Sequence, residues 1–251
     1  MSRAGVRFSG GRAMLTIGLD DRDLQANLRQ LTDRKIKIAA SWALNDTAKD
    51  VLAHVQGRIA EVFDRPTPFT RNAFTVRGAR PDNLVAEVGE RPSVGKRHYL
   101  KVQEAGGVRG RTGLEGLLDA RLAYDGIITA IVPAGGARLD AYGNWSTAER
   151  NRALSAVQAQ RDTRTNTTAA SRKRNRKRAG FFVPSAESRL SAGIWKRDAD
   201  GSISKVVHFT RAMPVYDKRL GFYDGAEQVY RLKLPAHLTR TIAKMAARSG
   251  G

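Results

Sequence analysis

The chain has 251 residues, and its 44 Lys and Arg residues against 24 Asp and Glu residues give a formal net charge of +20. This length allows one large domain or two small ones with a real hydrophobic core. The absence of cysteine excludes disulfides and thiolate metal sites, and no apolar run approaches the roughly 20 residues that span a bilayer. The basic N-terminus lacks a signal-peptide core, so we expect synthesis in the cytoplasm and no membrane partner.

The N-terminal third is predicted to be mainly helical. Residues 13–19 are a strand candidate, and Asp20 and Asp21 can open a short helix. Apolar residues then recur at spacings of three and four over residues 36–63, which predicts a long amphipathic helix. Its predicted buried stripe is Ile38, Trp42, Asn45, Ala48, Leu52, Val55, Ile59 and Val62. Asn45, the one polar member, is predicted to be a core amide that fixes how a neighbour packs.

The middle of the chain predicts a mixture of strands and helices. Residues 74–77 and 84–88 alternate apolar and polar positions around a turn at residues 80–83, which predicts a β-hairpin. A helix is predicted over residues 114–122 and a buried strand over residues 126–133. Ser146 and Glu149 have the spacing of a capping box, which predicts a helix to about Gln160.

The C-terminal part predicts three strands and a helix. The strand candidates are residues 181–184, 193–197 and 202–210, with a turn at residues 198–201 between the last two. Residues 224–247 are predicted to be helical, with Pro235 producing a kink or a restart. The predicted apolar side of this helix is Leu234, Leu238, Ile242 and Met245.

A basic tract, residues 161–179, separates these parts and contains no large apolar residue. Because such a composition buries too little surface to offset its ordering entropy, we expect a disordered loop or arm. The predicted contacts to an acidic partner or to phosphate are Arg172, Lys173, Arg174, Arg176, Lys177 and Arg178. Arginine outnumbers lysine 32 to 12 in the whole chain, which favours forked contacts to carboxylates or phosphates. The alternative is a linker that is merely solvated.

The order of elements predicts an α+β fold with antiparallel strands, a long N-terminal amphipathic helix, a C-terminal helix and a disordered basic loop. Residues 1–160 are assigned to the helix-plus-sheet portion of a single domain. Residues 180–251 are expected to complete the same domain, with the basic tract as an insertion.

No catalytic constellation is evident in the sequence. The glycine cluster at residues 106–113 lacks the Gly-Lys-Ser/Thr ending of a phosphate-binding loop, so we expect a flexible basic turn. No pair among the four histidines has metal-ligand spacing, and Asp198 and Asp200 indicate a turn, not a calcium loop. We therefore expect no enzyme, no cofactor and no metal site.

Four segments carry a resemblance to a known class of proteins. They are ALNDTA at residues 43–48, YLKVQEAGG at 99–107 with Glu115 downstream, ARLDAYGN at 137–144, and MPVY at 213–216. With the basic middle of the chain, they resemble structural proteins encoded in the morphogenesis blocks of tailed bacteriophages and prophages. The outline is similar to minor tail proteins of the lambda Z type, which complete the tail at the head–tail junction.

This resemblance implies a virion protein without an active site, made in the host cytoplasm and located at the head–tail junction. It implies a homo-oligomeric ring, whose contacts need two different complementary faces. Other neck, portal or tail proteins would be the neighbours, with possible nonspecific contact to packaged DNA. The alternative is a sequence-nonspecific DNA-binding protein that places the basic tract on phosphate backbones. A nuclease is the weakest of the three hypotheses.

Overall fold

The computed structural model describes residues 17–18, 34–94, 99–122, 128–175, 180–185 and 187–247. The α-helices in this part of the chain are α1 (Arg34–Val62), α2 (Pro68–Arg71), α3 (Tyr99–Ala105), α4 (Gly113–Leu122), α5 (Thr147–Ala156), α6 (Ala169–Asn175) and α7 (Phe222–Ala247). The strands are β1 (Ile17–Gly18), β2 (Phe74–Arg77), β3 (Glu87–Glu90), β4 (Gly107–Val108), β5 (Ala130–Pro133), β6 (Gly180–Phe182), β7 (Gly193–Arg197), β8 (Ile203–Thr210) and β9 (Val215–Tyr216). All strand pairs are antiparallel, so the predicted α+β class is confirmed.

The chain divides into two compact units, each with its own hydrophobic core. The first unit comprises Met1–Gly106 and Asp217–Gly251, and the second comprises Gly107–Tyr216. The observed boundaries therefore differ from the predicted division at residues 160 and 180. Strands β4 and β9 pair at the two ends of the second unit, which brings the points where its chain begins and ends close together.

In the first unit, α1 and α7 pack along each other beside a three-stranded sheet of order β1-β3-β2. The predicted strand at residues 13–19 is seen as Ile17–Gly18, and its other residues lie outside the described part of the chain. The predicted helix beginning at Asp20 also lies outside it. The predicted hairpin is confirmed, although its second strand is Glu87–Glu90, somewhat later than predicted.

The long predicted helix is confirmed as α1, but its buried stripe is rotated from the predicted one. Ile38, Trp42 and Leu52 are only partly buried, whereas Ala48, Val55 and Ile59 are buried as predicted. The buried positions that the prediction did not include are Ala39, Ala40, Ser41, Ala43, Leu44, Thr47 and Val51. The prediction gave most weight to large side chains, whereas close helix packing uses small ones that let backbones approach.

Asn45 joins α1 to the hairpin loop as predicted. Its Nδ2 atom donates to the Ala79 carbonyl at 3.0 Å, and the Ala79 amide donates to Asn45 Oδ1 at 2.6 Å. A Cβ atom at Gly78 would lie 3.0 Å from Asn45 Oδ1, so the glycine leaves room for this amide pair. Asn45 therefore fixes how the loop of the hairpin packs against α1.

The C-terminal helix α7 continues through Pro235 without interruption, so the helix does not restart there. Its buried positions are Phe222, Ala226, Tyr230, Leu234 and Thr241, whereas Ile242 is 46% exposed, contrary to prediction. At its first turn, the Phe222 amide donates to buried Glu104 Oε2 at 2.8 Å. A carboxylate at a helix N-terminus satisfies a free amide and complements the helix dipole.

The second unit contains a four-stranded antiparallel sheet of order β5-β8-β7-β6 with α4 and α5 contributing to its core. The predicted helix at residues 114–122 and the turn at residues 198–201 are confirmed. Of the predicted strand at residues 126–133, residues 130–133 form β5. Because Val132 is 47% exposed, β5 is not the fully buried strand that was predicted.

The predicted disordered loop is wrong for the described part of the basic tract, which contains regular secondary structure. Residues Thr163–Thr165 form a 3-10 turn and Ala169–Asn175 form α6, while residues 176–179 lie outside the described part of the chain. The Asp162 side chain accepts from the Arg164 amide at 3.0 Å, and Thr168 Oγ1 accepts from the Ser171 amide at 3.3 Å. These polar side chains order the backbone locally, a contribution that the composition argument omitted.

Candidate functional site

The six predicted contact residues have two different outcomes. Arg172, Lys173 and Arg174 lie in the last turn of α6 and are exposed, and cations at a helix C-terminus are favoured by the helix dipole. Arg176, Lys177 and Arg178 lie outside the described residues. Among the placed cations, Arg172 lines a cleft in the second unit.

This cleft, called the basic cleft below, has a volume of about 1040 Å³. It is bordered by α5, by residues 157–172 and by strands β6 and β7. Its cations are Arg152, Arg172, Lys196 and Arg197, and its apolar lining is Leu122, Ala156, Val157, Phe181, Phe182 and Val183. The remaining described lining residues are Asn151, Ser155, Gln158, Gln160, Thr165, Thr167, Ser171 and Gly180, so none of the described lining residues is acidic. The cleft therefore favours an anionic occupant.

The end of α5 holds the first half of the basic tract beside the cleft. Gln158 has a φ of +63°, and the Ala159 amide donates to the Leu154 carbonyl at 2.8 Å, as in a Schellman C-cap. Glycine usually takes this conformation. Here the Gln158 side chain supplies a further bond, because its Nε2 atom donates to the Thr167 carbonyl at 2.8 Å. One residue thus ends the helix and ties the next segment to it.

Further hydrogen bonds hold the same segment. Ser155 Oγ donates to the Thr165 carbonyl at 2.8 Å, and the Thr167 amide donates to the Ser155 carbonyl at 3.1 Å. The Gln160 amide donates to Asn166 Oδ1 at 3.1 Å. Hydrogen bonds therefore fix the backbone of the segment that leads to Arg172 against α5.

Strands β6 and β7 supply the opposite border of the basic cleft. The Arg197 guanidinium lies over the Phe182 ring, 5.4 Å from its centroid, in a cation–π contact. Lys196 Nζ pairs with Asp198 Oδ1 at 2.6 Å. Sequence analysis missed Arg152, Lys196 and Arg197 because Arg152 lies far from the other two in the chain and none of them belongs to a long charge run.

A buried carboxylate organises the glycine cluster. Glu115 is fully buried, and its two oxygens accept from Arg109 Nη1 at 2.8 Å and Nη2 at 2.5 Å. They also accept from the amides of Thr112 at 2.6 Å and Ile131 at 3.0 Å. The Glu115 amide in turn donates to Thr112 Oγ1 at 3.3 Å, which completes a capping box at the start of α4. The segment is therefore pinned by Glu115 and differs from the expected flexible turn.

The electrostatics of this pair follow from its contacts. Burial on its own raises the pKa of Glu115, but the hydrogen bonds from Arg109 and the two amides outweigh it and lower the pKa to about 2. The bond to Glu115 raises the pKa of Arg109 further above its ordinary value. Both groups stay charged near neutral pH, so the pair is suited to holding structure and unsuited to transferring protons.

The ARLDAYGN segment also has a structural explanation. Asp140 Oδ1 accepts from the amides of Tyr142 at 2.9 Å and Asn144 at 3.0 Å, and Gly143 takes a φ of +78°. Buried Glu149 then accepts from Trp145 Nε1 at 3.0 Å and from the Arg138 amide at 2.6 Å. The segment is a turn fastened to α5, and the Ser146 hydroxyl caps that helix as predicted.

One polar cluster resembles an activated nucleophile. Lys205 Nζ donates to Ser191 Oγ at 2.5 Å and lies 2.9 Å from His208 Nδ1, and burial lowers the pKa of Lys205. A lysine beside a serine can act as a general base. However, none of these residues lines the basic cleft, and Lys205 is also held 5.5 Å from the Trp195 ring centroid. The cluster is explained by packing on the sheet surface.

A second cleft, of about 460 Å³, lies in the first unit between α1 and α7. Its charges are largely paired, because Asp46 bonds Arg240 at 2.6 Å and Lys49 at 3.2 Å. Lys244 lies 5.9 Å from the Trp42 ring centroid. Compared with the basic cleft, it leaves little charge for a ligand.

Within the described residues, no group of three or more His, Asp or Glu side chains could hold a metal ion. In that same part of the chain, no helix is long and apolar enough to cross a membrane. No protein-family model, curated protein or solved structure matches this chain. The basic cleft is therefore the arrangement from which a function is best inferred.

Proposed function

We propose that this protein is a structural component of the head–tail junction of a tailed bacteriophage, as a neck adaptor or tail-completion protein. It assembles as a homo-oligomeric ring and docks on portal, neck or tail proteins through its helices and the cations of residues 172–178. The observation that carries the proposal is the basic cleft, which combines four cations with an apolar lining and has no acidic residue among those of its lining that the structure describes. The four segments that resemble phage morphogenesis proteins supply the biological setting.

The buried carboxylates of the described chain are consistent with a structural role. Glu104, Glu115 and Glu149 each accept backbone amides, and each fastens an element or a loop to its own unit. The described charges that remain for a partner are mostly basic and lie at the surface. We therefore expect the protein to act by binding a partner through its basic surface.

The direct test is to locate the protein in purified particles by electron microscopy with a specific label. Label at the neck is the expected result, and absence of the protein from purified particles would contradict the proposal. The matched variants are R152S/R172S in the basic cleft and R189S/R211S outside it, because all four side chains are exposed in the second unit. We expect fewer complete particles with R152S/R172S and a normal yield with R189S/R211S.

A sequence-nonspecific DNA-binding function is the second candidate, favoured by the net charge of +20. Such binding falls steeply with salt, since the logarithm of the affinity changes with the logarithm of salt by about −0.9 per neutralised phosphate. Titration of duplex DNA at several salt concentrations measures this slope. A steep slope that R152S/R172S reduces, together with absence from particles, would favour this candidate over the first.

A further inference from the structure

We infer that the basic cleft of the second unit binds an extended, acidic segment of a neighbouring protein, in which carboxylates alternate with apolar side chains. The inference rests on the proposed function, because it names the chemistry of the partner that this site would dock. Three features of the cleft support it: its unbalanced charge, a stacked guanidinium, and an apolar border that includes an edge strand.

The charge comes first. Arg152 and Arg172 lie on different elements that border the cleft, and neither side chain has an ion-pair partner within the described residues. Of the four cations, Lys196 is paired with Asp198. Because the described lining contains no acidic residue, it gives the cleft a positive potential, and low-dielectric walls strengthen such a potential. An occupant with at least two negative charges is the complement.

The stacked arginine favours a carboxylate over a nucleobase. Single-stranded nucleic acids bind largely by stacking bases on aromatic faces. Here the guanidinium of Arg197 lies over the Phe182 ring, which covers a face that a base would use. The stacked guanidinium places positive charge at this border, which favours an acidic occupant over the face of a base.

The apolar border favours a polypeptide over a polyphosphate backbone. Leu122, Val157, Phe181 and Val183 line the cleft and are not fully buried, so apolar side chains of an occupant would cover them. Strand β6 is the edge strand of its sheet and lies along the cleft, a position at which extended peptides are commonly recognised. The volume of about 1040 Å³ reaches the upper end of the usual range for small-molecule sites, about 300–1,000 Å³. A segment of several residues therefore fits the site.

The test measures binding to the full chain by fluorescence anisotropy at fixed salt. The probes are a fluorescein-labelled peptide in which glutamate and leucine alternate, the same peptide with serine for leucine, and an oligothymidylate of equal length. We expect the glutamate–leucine peptide to bind most tightly. R152S/R172S should weaken it by about tenfold or more, because a bond to a charged group contributes at least that factor. R189S/R211S should change it by less than about twofold, since exposed charges outside the site contribute little.

Three results would overturn the inference: equal binding of the serine peptide, oligothymidylate binding at least as tightly with the same sensitivity to R152S/R172S, or no binding of the leucine peptide. Thermal unfolding of both variants checks that the second unit remains folded. The outcome is separable from that of the proposed function. Binding of the glutamate–leucine peptide by a protein that is absent from particles would support the inference and contradict the proposed function. Presence at the neck without binding of this peptide would support the proposed function and contradict the inference.

Discussion

At the scale of single residues, the buried carboxylates of this protein fix its local structure through hydrogen bonds to backbone amides. Glu115 is fully buried, and its partner Arg109 is 17% exposed, so neither charge is well solvated. Removing one partner of such a pair leaves the other uncompensated, which is far more costly than breaking an exposed pair. Glu115 and the pairing of β4 with β9 together hold the glycine cluster in its conformation.

The substitution Glu115→Gln should lower the free energy of unfolding of the second unit by about 3–5 kcal/mol, as is typical of a broken buried pair. The control is Asp119→Asn, which breaks the more exposed pair with Arg111 and should cost no more than about 1 kcal/mol. Denaturant unfolding of both variants measures the difference. Equal losses of unfolding free energy in the two variants would show that burial does not increase the contribution of the Glu115–Arg109 pair to stability.

The same carboxylate should make stability depend on pH. Its pKa in the folded protein is about 2, below its ordinary value of 4.5, so the unfolded chain binds the proton more readily. The stabilisation from Glu115 is therefore present above about pH 4.5 and is lost as the pH falls towards 2. Unfolding curves across this range should show the difference in stability between the parent chain and Glu115→Gln narrowing with acid. A constant difference would contradict the lowered pKa.

At the scale of elements, close approach decides how the two long helices of the first unit pack. The buried face of α1 contains Ala40, Ala43 and Leu44, where sequence periodicity favoured Trp42 and Leu52. On α7, a Cβ atom at Gly225 would overlap His54 Nε2, which is a buried atom. Small residues therefore set the distance between the helices.

Two glycines within these helices should respond to alanine with opposite signs. Gly57 of α1 has open space where a Cβ atom would lie, with no neighbouring atom within 4 Å, so Gly57→Ala should stabilise by about 0.5–1 kcal/mol through helix propensity. Gly225→Ala should destabilise, because overpacking against His54 costs typically about 1–3 kcal/mol and outweighs that gain. Thermal unfolding of the two variants gives the signs. Stabilisation by both would show that the His54 ring or the two helices can move to make room for the added methyl group without cost.

At the scale of the whole molecule, charge and fold are largely separable. The basic tract contributes +7 of the net charge of +20, and its placed cations Arg172, Lys173 and Arg174 are exposed. The contacts that order the tract come instead from Ser155, Gln158 and neighbouring backbone. Neutralising the cations should therefore alter recognition and leave the units folded.

The corresponding variant replaces the six predicted contact residues with serine: Arg172, Lys173, Arg174, Arg176, Lys177 and Arg178. Its free energy of unfolding should change by less than about 0.5 kcal/mol, as is usual for exposed substitutions. Under the proposed function, the yield of complete particles should fall, because the six cations would no longer be there to meet an acidic partner. Normal yield and full infectivity would show that the tract is only a solvated linker.

Local signals in the sequence determined many of the elements of this protein. The long helix, the hairpin at residues 80–83, the helix cap at Ser146 and the turn at residues 198–201 each depend on residues close in sequence. Periodicity, capping and turn chemistry act over a few residues, so they can be recognised without the tertiary structure. The role of Asn45 was also predictable, because a single amide within an apolar stripe needs a partner.

Only the tertiary structure decided the features that join distant residues. The rotation of the buried stripe on α1 depends on the small residues that face α7, and the order in the basic tract depends on amides and hydroxyls from α5 and the residues that follow it. The basic cleft unites Arg152, Arg172 and the adjacent pair Lys196 and Arg197, which come from three distant parts of the chain. Burial and hydrogen bonding between residues distant in sequence determine these features. Such contacts form only once the tertiary fold brings those residues together.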